Sequence, residues 1–205
     1  MAIPKDLDFE AAVKDALNEA LKERGHVNIL IAGRTGVGKS TLINAVFQGN
    51  FATTGQGRPV TQNTREIKKE EVPLSIFDTR GLEMADFTET LSALKCLVSE
   101  RARSSDLNQH IHVAWICIAE DSRRVEPAEE ELVKMMADRN IPVIAVIMKA
   151  RSDQGFRAIV LQILPLVINA VRVRAIEEEL DEGIVLPSMG LRDLVDLTLQ
   201  VVPEG

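Results

Sequence analysis

The run Gly33-Arg34-Thr35-Gly36-Val37-Gly38-Lys39-Ser40-Thr41 fits the spacing G-x-x-x-x-G-K-[ST], which is the pattern of a phosphate-binding loop. The chemistry explains the spacing. Glycines let the backbone curl, so that the N–H groups of Arg34, Thr35, Gly36, Val37 and Gly38 turn toward a bound phosphate. Lys39 reaches the β- and γ-phosphates, the Ser40 hydroxyl takes a place on magnesium, and Thr41 carries the loop into a helix whose N-terminus adds its positive dipole end.

A second short pattern, Asp78-Thr79-Arg80-Gly81, reads as D-x-x-G. It follows directly on an apolar stretch, Leu74 to Phe77, and comes after the phosphate loop in the chain. In that setting the Asp78 carboxylate holds the magnesium shell through water and the Gly81 N–H meets the γ-phosphate. Arg80, next to that glycine, is a cationic group available for charge developing on a transferring phosphoryl group.

Both patterns need rigid elements behind them. His26 to Ala32 is apolar and β-branched, as a buried parallel strand should be. Lys39 to Gln48 reads as a helix stopped by Gly49. Residues 50–63 read as loop, Thr64 to Ile67 and Leu74 to Phe77 as an antiparallel edge pair, and 87–103 as helix. His110 to Ala119 is a strand whose two histidines read as ordinary strand-start residues rather than metal ligands. Glu126-Pro127 opens a helix to about Asp138, and Pro142 to Met148 is another buried strand. A helix over 155–168 is kinked near Pro165, Ala170 to Ala175 forms the last strand, and Leu191 to Val201 closes the chain as a helix. The order is that of a three-layer α/β/α domain over residues 26–205. Its expected sheet is mainly parallel and six-stranded, with one antiparallel edge strand. Residues 1–25 form a separate element. Phe9, Val13, Ala16, Leu17, Ala20 and Leu21 lie on one face of an amphipathic helix that packs back on the domain or docks a partner.

Composition narrows the function classes. The 205-residue chain carries a net charge of −7, so no direct nucleic-acid contact is expected, because phosphate neutralisation needs clustered Lys and Arg. Two cysteines, Cys96 and Cys117, provide no disulfide framework and suit a reducing cytoplasm. The most apolar run, 158–171, is interrupted by polar residues and too short to span a bilayer, so a soluble, cytoplasmic protein without a transmembrane segment is expected.

With the phosphate loop and Asp78-x-x-Gly81 together, the chain resembles a small P-loop GTPase domain, and most closely the Era-like GTPases of the ribosome-binding GTPase type. The resemblance covers about residues 26–202. It implies GTP and GDP as ligands, Mg2+ as cofactor, and slow hydrolysis with a protein effector or self-association as accelerator. It also makes Thr64, in Thr64-Arg65, the switch threonine that binds magnesium, with Thr61 as the competing choice. Two departures stand out. Leu82 follows Gly81, where Ras-type GTPases carry a water-orienting Gln. The base-reading pattern [NT]-K-x-D becomes Met148-Lys149-Ala150-Arg151-Ser152-Asp153. Lys149 matches the lysine that stacks on the base. The carboxylate comes late, so Asp153 either reaches guanine through a bulged loop or caps the next helix. Ala175 matches the position whose N–H meets the guanine oxygen. The alternatives to a hydrolysing switch are a nucleotide-dependent interaction module with negligible hydrolysis and an ATP-using P-loop enzyme.

Overall fold

The computed structural model describes residues 25–47, 58–61, 63–69, 72–82 and 87–202. The amphipathic helix expected within residues 1–25 lies outside them but for Gly25. Among the described residues five α-helices, α1 (Lys39–Phe47), α2 (Phe87–Ala102), α3 (Pro127–Ala137), α4 (Phe156–Ile163) and α5 (Leu191–Val201), flank a seven-stranded sheet. Its strands are β1 (Val27–Gly33), β2 (Arg58–Thr61), β3 (Thr64–Lys68), β4 (Leu74–Thr79), β5 (Val113–Ala119), β6 (Val143–Met148) and β7 (Asn169–Val173), in the order β2-β3-β4-β1-β5-β6-β7. β3 runs antiparallel to both β2 and β4, and the remaining pairings are parallel.

β1 is buried along its whole length. It has no polar alternation because helices cover both faces of the sheet, as a central parallel strand requires. Val27, Ile29 and Ile31 pack with Leu42, Ile43 and Phe47 of α1 and Leu194, Val195 and Leu199 of α5. Leu30 and Ala32 turn the other way, to Leu94 and Leu97 of α2, Leu132 and Met136 of α3, and Phe156 and Val160 of α4. The three expected layers are therefore present.

The sheet has one strand more than expected. Arg58–Thr61, read as loop, pairs with β3 at the sheet edge. Pro59 is tolerated there because an edge strand need not donate on its outer side. Other boundaries shift. β5 begins at Val113. His112 Nδ1 accepts the Asn28 N–H at 2.9 Å, so the neutral ring donates from Nε2 to the Leu107 carbonyl at 3.0 Å. α4 ends at Ile163, before Pro165. β7 ends at Val173, leaving Ala175 in the connection beyond it. That connection leads into a small hairpin, β8 (Glu178–Glu179) with β9 (Val185–Leu186), which the sequence reading did not contain.

Candidate nucleotide site

The glycine loop joins the carboxyl end of β1 to α1. Gly33 has φ 156°, and a Cβ there would lie 2.6 Å from the Cys117 carbonyl, so β1 and β5 approach too closely for any other residue. Gly36, at φ 77°, and Gly38, at φ 107°, take further positions that an L-residue rarely adopts. Lys39 is buried, and its ammonium donates to the carbonyls of Gly33 at 2.7 Å and Arg34 at 3.3 Å. The lysine is thereby folded over its own loop.

β4 delivers Asp78 beside this loop. A groove of about 420 Å³ is lined by Thr35, Gly36, Gly38, Lys39, Ser40 and Thr41 on one side and Asp78, Thr79, Arg80 and Gly81 on the other. The two sequence patterns, far apart in the chain, thus form one surface. Arg80 is exposed along it, and its backbone N–H donates to the Asn63 carbonyl at 2.8 Å. Leu82 is only 2% exposed, packs into the α2–α4 side of the core, and donates its N–H to the Gly33 carbonyl at 3.3 Å.

Two oxygens here are buried without a hydrogen-bond partner among the described residues, Thr64 Oγ1 and Asp78 Oδ1. Buried oxygens are normally paired, and an orphan at a functional site points to an absent ligand. A hydroxyl and a carboxylate are hard oxygen donors of the kind magnesium selects, so these residues fit that cofactor. Thr61 is engaged otherwise, its Oγ1 accepting the Asn63 N–H at 3.2 Å. Thr64 is therefore the better-placed of the two candidate threonines.

A second groove of about 360 Å³ adjoins the first and shares Gly38 and Thr41 with it. Met148, Lys149, Arg151, Arg174 and Ala175 line it, with Asp121, Ile176, Glu177 and Glu178. Lys149 has φ 57° and stands 3.9 Å from the Asp121 carboxylate. Asp153 is not among the lining residues. Its carboxylate accepts the N–H groups of Arg157 at 2.9 Å and Gly155 at 3.3 Å, capping α4. The expectation that it reads a base is corrected accordingly: free N–H groups at a helix start capture the nearest short carboxylate.

The loop 149–153 is held by residues the sequence reading passed over. Glu120, at the end of β5, is 2% exposed. It accepts the N–H groups of Arg151 at 2.6 Å and Ser152 at 2.8 Å and a fork from Arg172 at 2.7 and 3.2 Å. Burial pushes its carboxyl up, but Arg172 and the two amides outweigh that and hold it below the usual glutamate range. Arg123 donates to the carbonyls of Ser152 and Asp153 from the other side. A charged residue directly after the apolar run 113–119 is the signal that marks Glu120. On the phosphate side, Arg34 pairs with Glu126 at 3.2 Å, at the head of α3. There Glu126 and Glu129 form a capping box, and burial pushes the Glu129 carboxyl up to about 7.

Residues 28–149 match the family described as 50S ribosome-binding GTPase. The chain belongs to this family. Among curated relatives of this chain, the tRNA modification GTPase MnmE of Malacoplasma penetrans is 26% identical over 150 residues, covering 67% of this chain and 32% of that protein. The chain thus spans about a third of that relative's length. Among solved structures, Toc33 from Arabidopsis thaliana in complex with Mg2+ and GMPPNP has a TM-score of 0.65 at 17% identity, covering 94% of this chain and 93% of that one. Era in complex with MgGDPNP and nucleotides 1506–1542 of 16S ribosomal RNA has a TM-score of 0.57 at 19% identity, covering 89% and 58%. At these identities the structures establish the fold. No helix among the described residues is long and apolar enough to cross a membrane.

Proposed function

We propose that this GTPase domain binds GTP and GDP with Mg2+ across the two adjoining grooves and hydrolyses GTP slowly. The observation that carries the proposal is the pair of partnerless buried oxygens, Thr64 Oγ1 and Asp78 Oδ1, beside a glycine loop whose lysine lies folded over it. The phosphates lie along residues 34–41, with the Gly81 N–H at the γ-phosphate. Lys149 and Ala175 border the base. Ser40, Thr64 and Asp78 hold the metal, which when bound neutralises charge on the β- and γ-phosphates. Lys39 exchanges its loop carbonyls for phosphate oxygens and stays in place as charge develops.

The buried position of Leu82 favours a second reading, an interaction module with negligible turnover of its own, because the Leu82 side chain lies in the core rather than in the groove. A protein effector or a second copy then supplies the missing group. The description of one solved Toc33 chain as a dimerization-deficient mutant supports self-association as the route. Era is described with ribosomal RNA, but the −7 net charge of this chain supports a protein partner rather than direct nucleic-acid contact.

Calorimetric titration of GTP, GDP and ATP with and without Mg2+, followed by phosphate release, tests the proposal. Tight, Mg2+-dependent guanine nucleotide binding that Lys39→Ala abolishes is expected. Unchanged GDP affinity in Lys39→Ala sinks the assignment of the groove.

A further inference from the structure

Position 151 lies two residues after Lys149, where the base-reading pattern carries its carboxylate, and in this chain it is an arginine. That arginine is held by an acid from elsewhere. Arg151 Nε donates to Glu178 Oε2 at 3.0 Å, and Nη2 donates to Oε1 of the same carboxylate. The two residues are a fork-to-fork pair, and both line the groove bounded by Lys149 and Ala175. Glu178 belongs to the β8–β9 hairpin, inserted between Ala175 and α5. The hairpin is anchored back on the site. Glu178 pairs with Leu186 across it, Arg174 and Met189 exchange backbone hydrogen bonds at 3.0 and 2.9 Å, and the Arg174 guanidinium donates to the Pro187 carbonyl.

A carboxylate has about four acceptor positions, and a guanidinium fork occupies two of them. The fork takes the two lone pairs that point forward in parallel, and the two left point outward, away from each other. One of them can accept one guanine donor, the 2-amino group, for which adenine has no counterpart at that edge. The geometry points to Glu178, gripped by Arg151, as the guanine-selecting group of this site, delivered by the hairpin in place of the acid missing at position 151. The inference rests on the adjoining grooves being the nucleotide site. Arg151 does more than neutralise Glu178. It fixes the carboxylate before the base arrives, so less side-chain freedom is lost on binding. Asp121 and Glu177 are the competing acids of the groove. Asp121 stands 3.9 Å from the Lys149 ammonium, a single loose contact that does not orient it.

The test is the affinity of the full chain, with Mg2+, for GDP, XDP and ADP. XDP replaces the 2-amino donor by a carbonyl acceptor. The unmodified chain is expected to prefer GDP over both. Glu178→Gln, whose amide donates where the carboxylate accepted, is expected to lose GDP affinity by about tenfold or more and to bind XDP better than GDP. Glu178→Ala, a second route should the first variant not fold, is expected to bring the GDP-to-ADP ratio toward unity. A hairpin that only props the loop would weaken all three ligands in parallel and leave their ratios intact, and that result overturns the inference. So does a Glu178→Gln variant that keeps its preference while Asp121→Asn or Glu177→Gln loses it. An unmodified chain that binds none of the three diphosphates overturns the nucleotide-site reading and this inference with it.

Discussion

Arg65 and Asp78 face each other across the antiparallel β3–β4 pair, with Arg65 Nη2 donating to Asp78 Oδ2 at 3.0 Å while Asp78 Oδ1 stays buried with no hydrogen-bond partner among the described residues. One oxygen is neutralised and oriented by the guanidinium, and the other is the one we propose for the metal. Arg65→Gln leaves that carboxylate underpaired and is expected to destabilise the apo chain by about 1–3 kcal/mol. A bound Mg2+ takes over part of the compensation. The loss in melting temperature should therefore shrink with Mg2+ and GDP present, and an equal loss with and without them would refute this account.

Leu82 bears on engineered activation. Placing the Ras-type glutamine there by Leu82→Gln is expected to yield no faster enzyme, because the side chain points into the core and its backbone is tied to Gly33. The variant buries an amide without partners and should lose about 2–4 kcal/mol of stability. Denaturant titration and a turnover assay check it together. A stable variant with raised turnover would show that the residue can swing into the groove.

Arg80 is the cationic side chain exposed along the phosphate groove beside Gly81. Turnover by the chain alone is expected on the order of 10⁻⁴ to 10⁻³ per second, the unassisted scale. If Arg80 acts within its own chain, Arg80→Ala lowers that rate at all protein concentrations. If it acts on a second copy, the rate rises with concentration and the variant loses that rise. A fast rate that survives Arg80→Ala and ignores concentration would assign catalysis to another group.

Glu129 supplies a pH signature. Burial raises its folded-state pKa from 4.5 to about 7, so the folded chain prefers the protonated acid. Its contribution to stability is complete below about pH 4.5 and is lost as pH rises through 7. A shift of that size corresponds to about 3 kcal/mol. Glu129→Gln keeps an acceptor for the Glu126 N–H that Glu129 Oε2 now takes at 2.8 Å. It should be more stable than the parent at pH 8 and nearly equal to it at pH 4. Thermal melts across that range decide, and a pH-independent difference between the two would contradict the burial argument.

The glycine loop was legible because its spacing is local: strand, loop and helix lie within residues 27–47, and the chemistry of each position depends on near neighbours. The buried strands were legible for a similar reason, since an unbroken apolar run of strand length has few other fates in a domain of this size. β2 was not. Arg-Pro-Val-Thr carries no strand signal of its own and exists as a strand only because β3 lies alongside it. Asp153 was ambiguous from sequence, because a carboxylate near a helix start can cap or reach outward. The α4 N–H groups decided between those two roles.

By itself the sequence determined the family, the phosphate loop, Asp78-x-x-Gly81 and the α/β order of the elements, all set by spacing and apolar runs that survive without knowledge of long-range contacts. Tertiary structure decided which residues line the second groove. Glu120 meets Arg151, Ser152 and Arg172, and Arg151 meets Glu178, across separations of 27 to 52 residues. Such pairings are matters of where strand ends and loops converge at the carboxyl edge of the sheet. A charge in a linear sequence has many possible partners there, and only the packed strands bring one of them within hydrogen-bond reach.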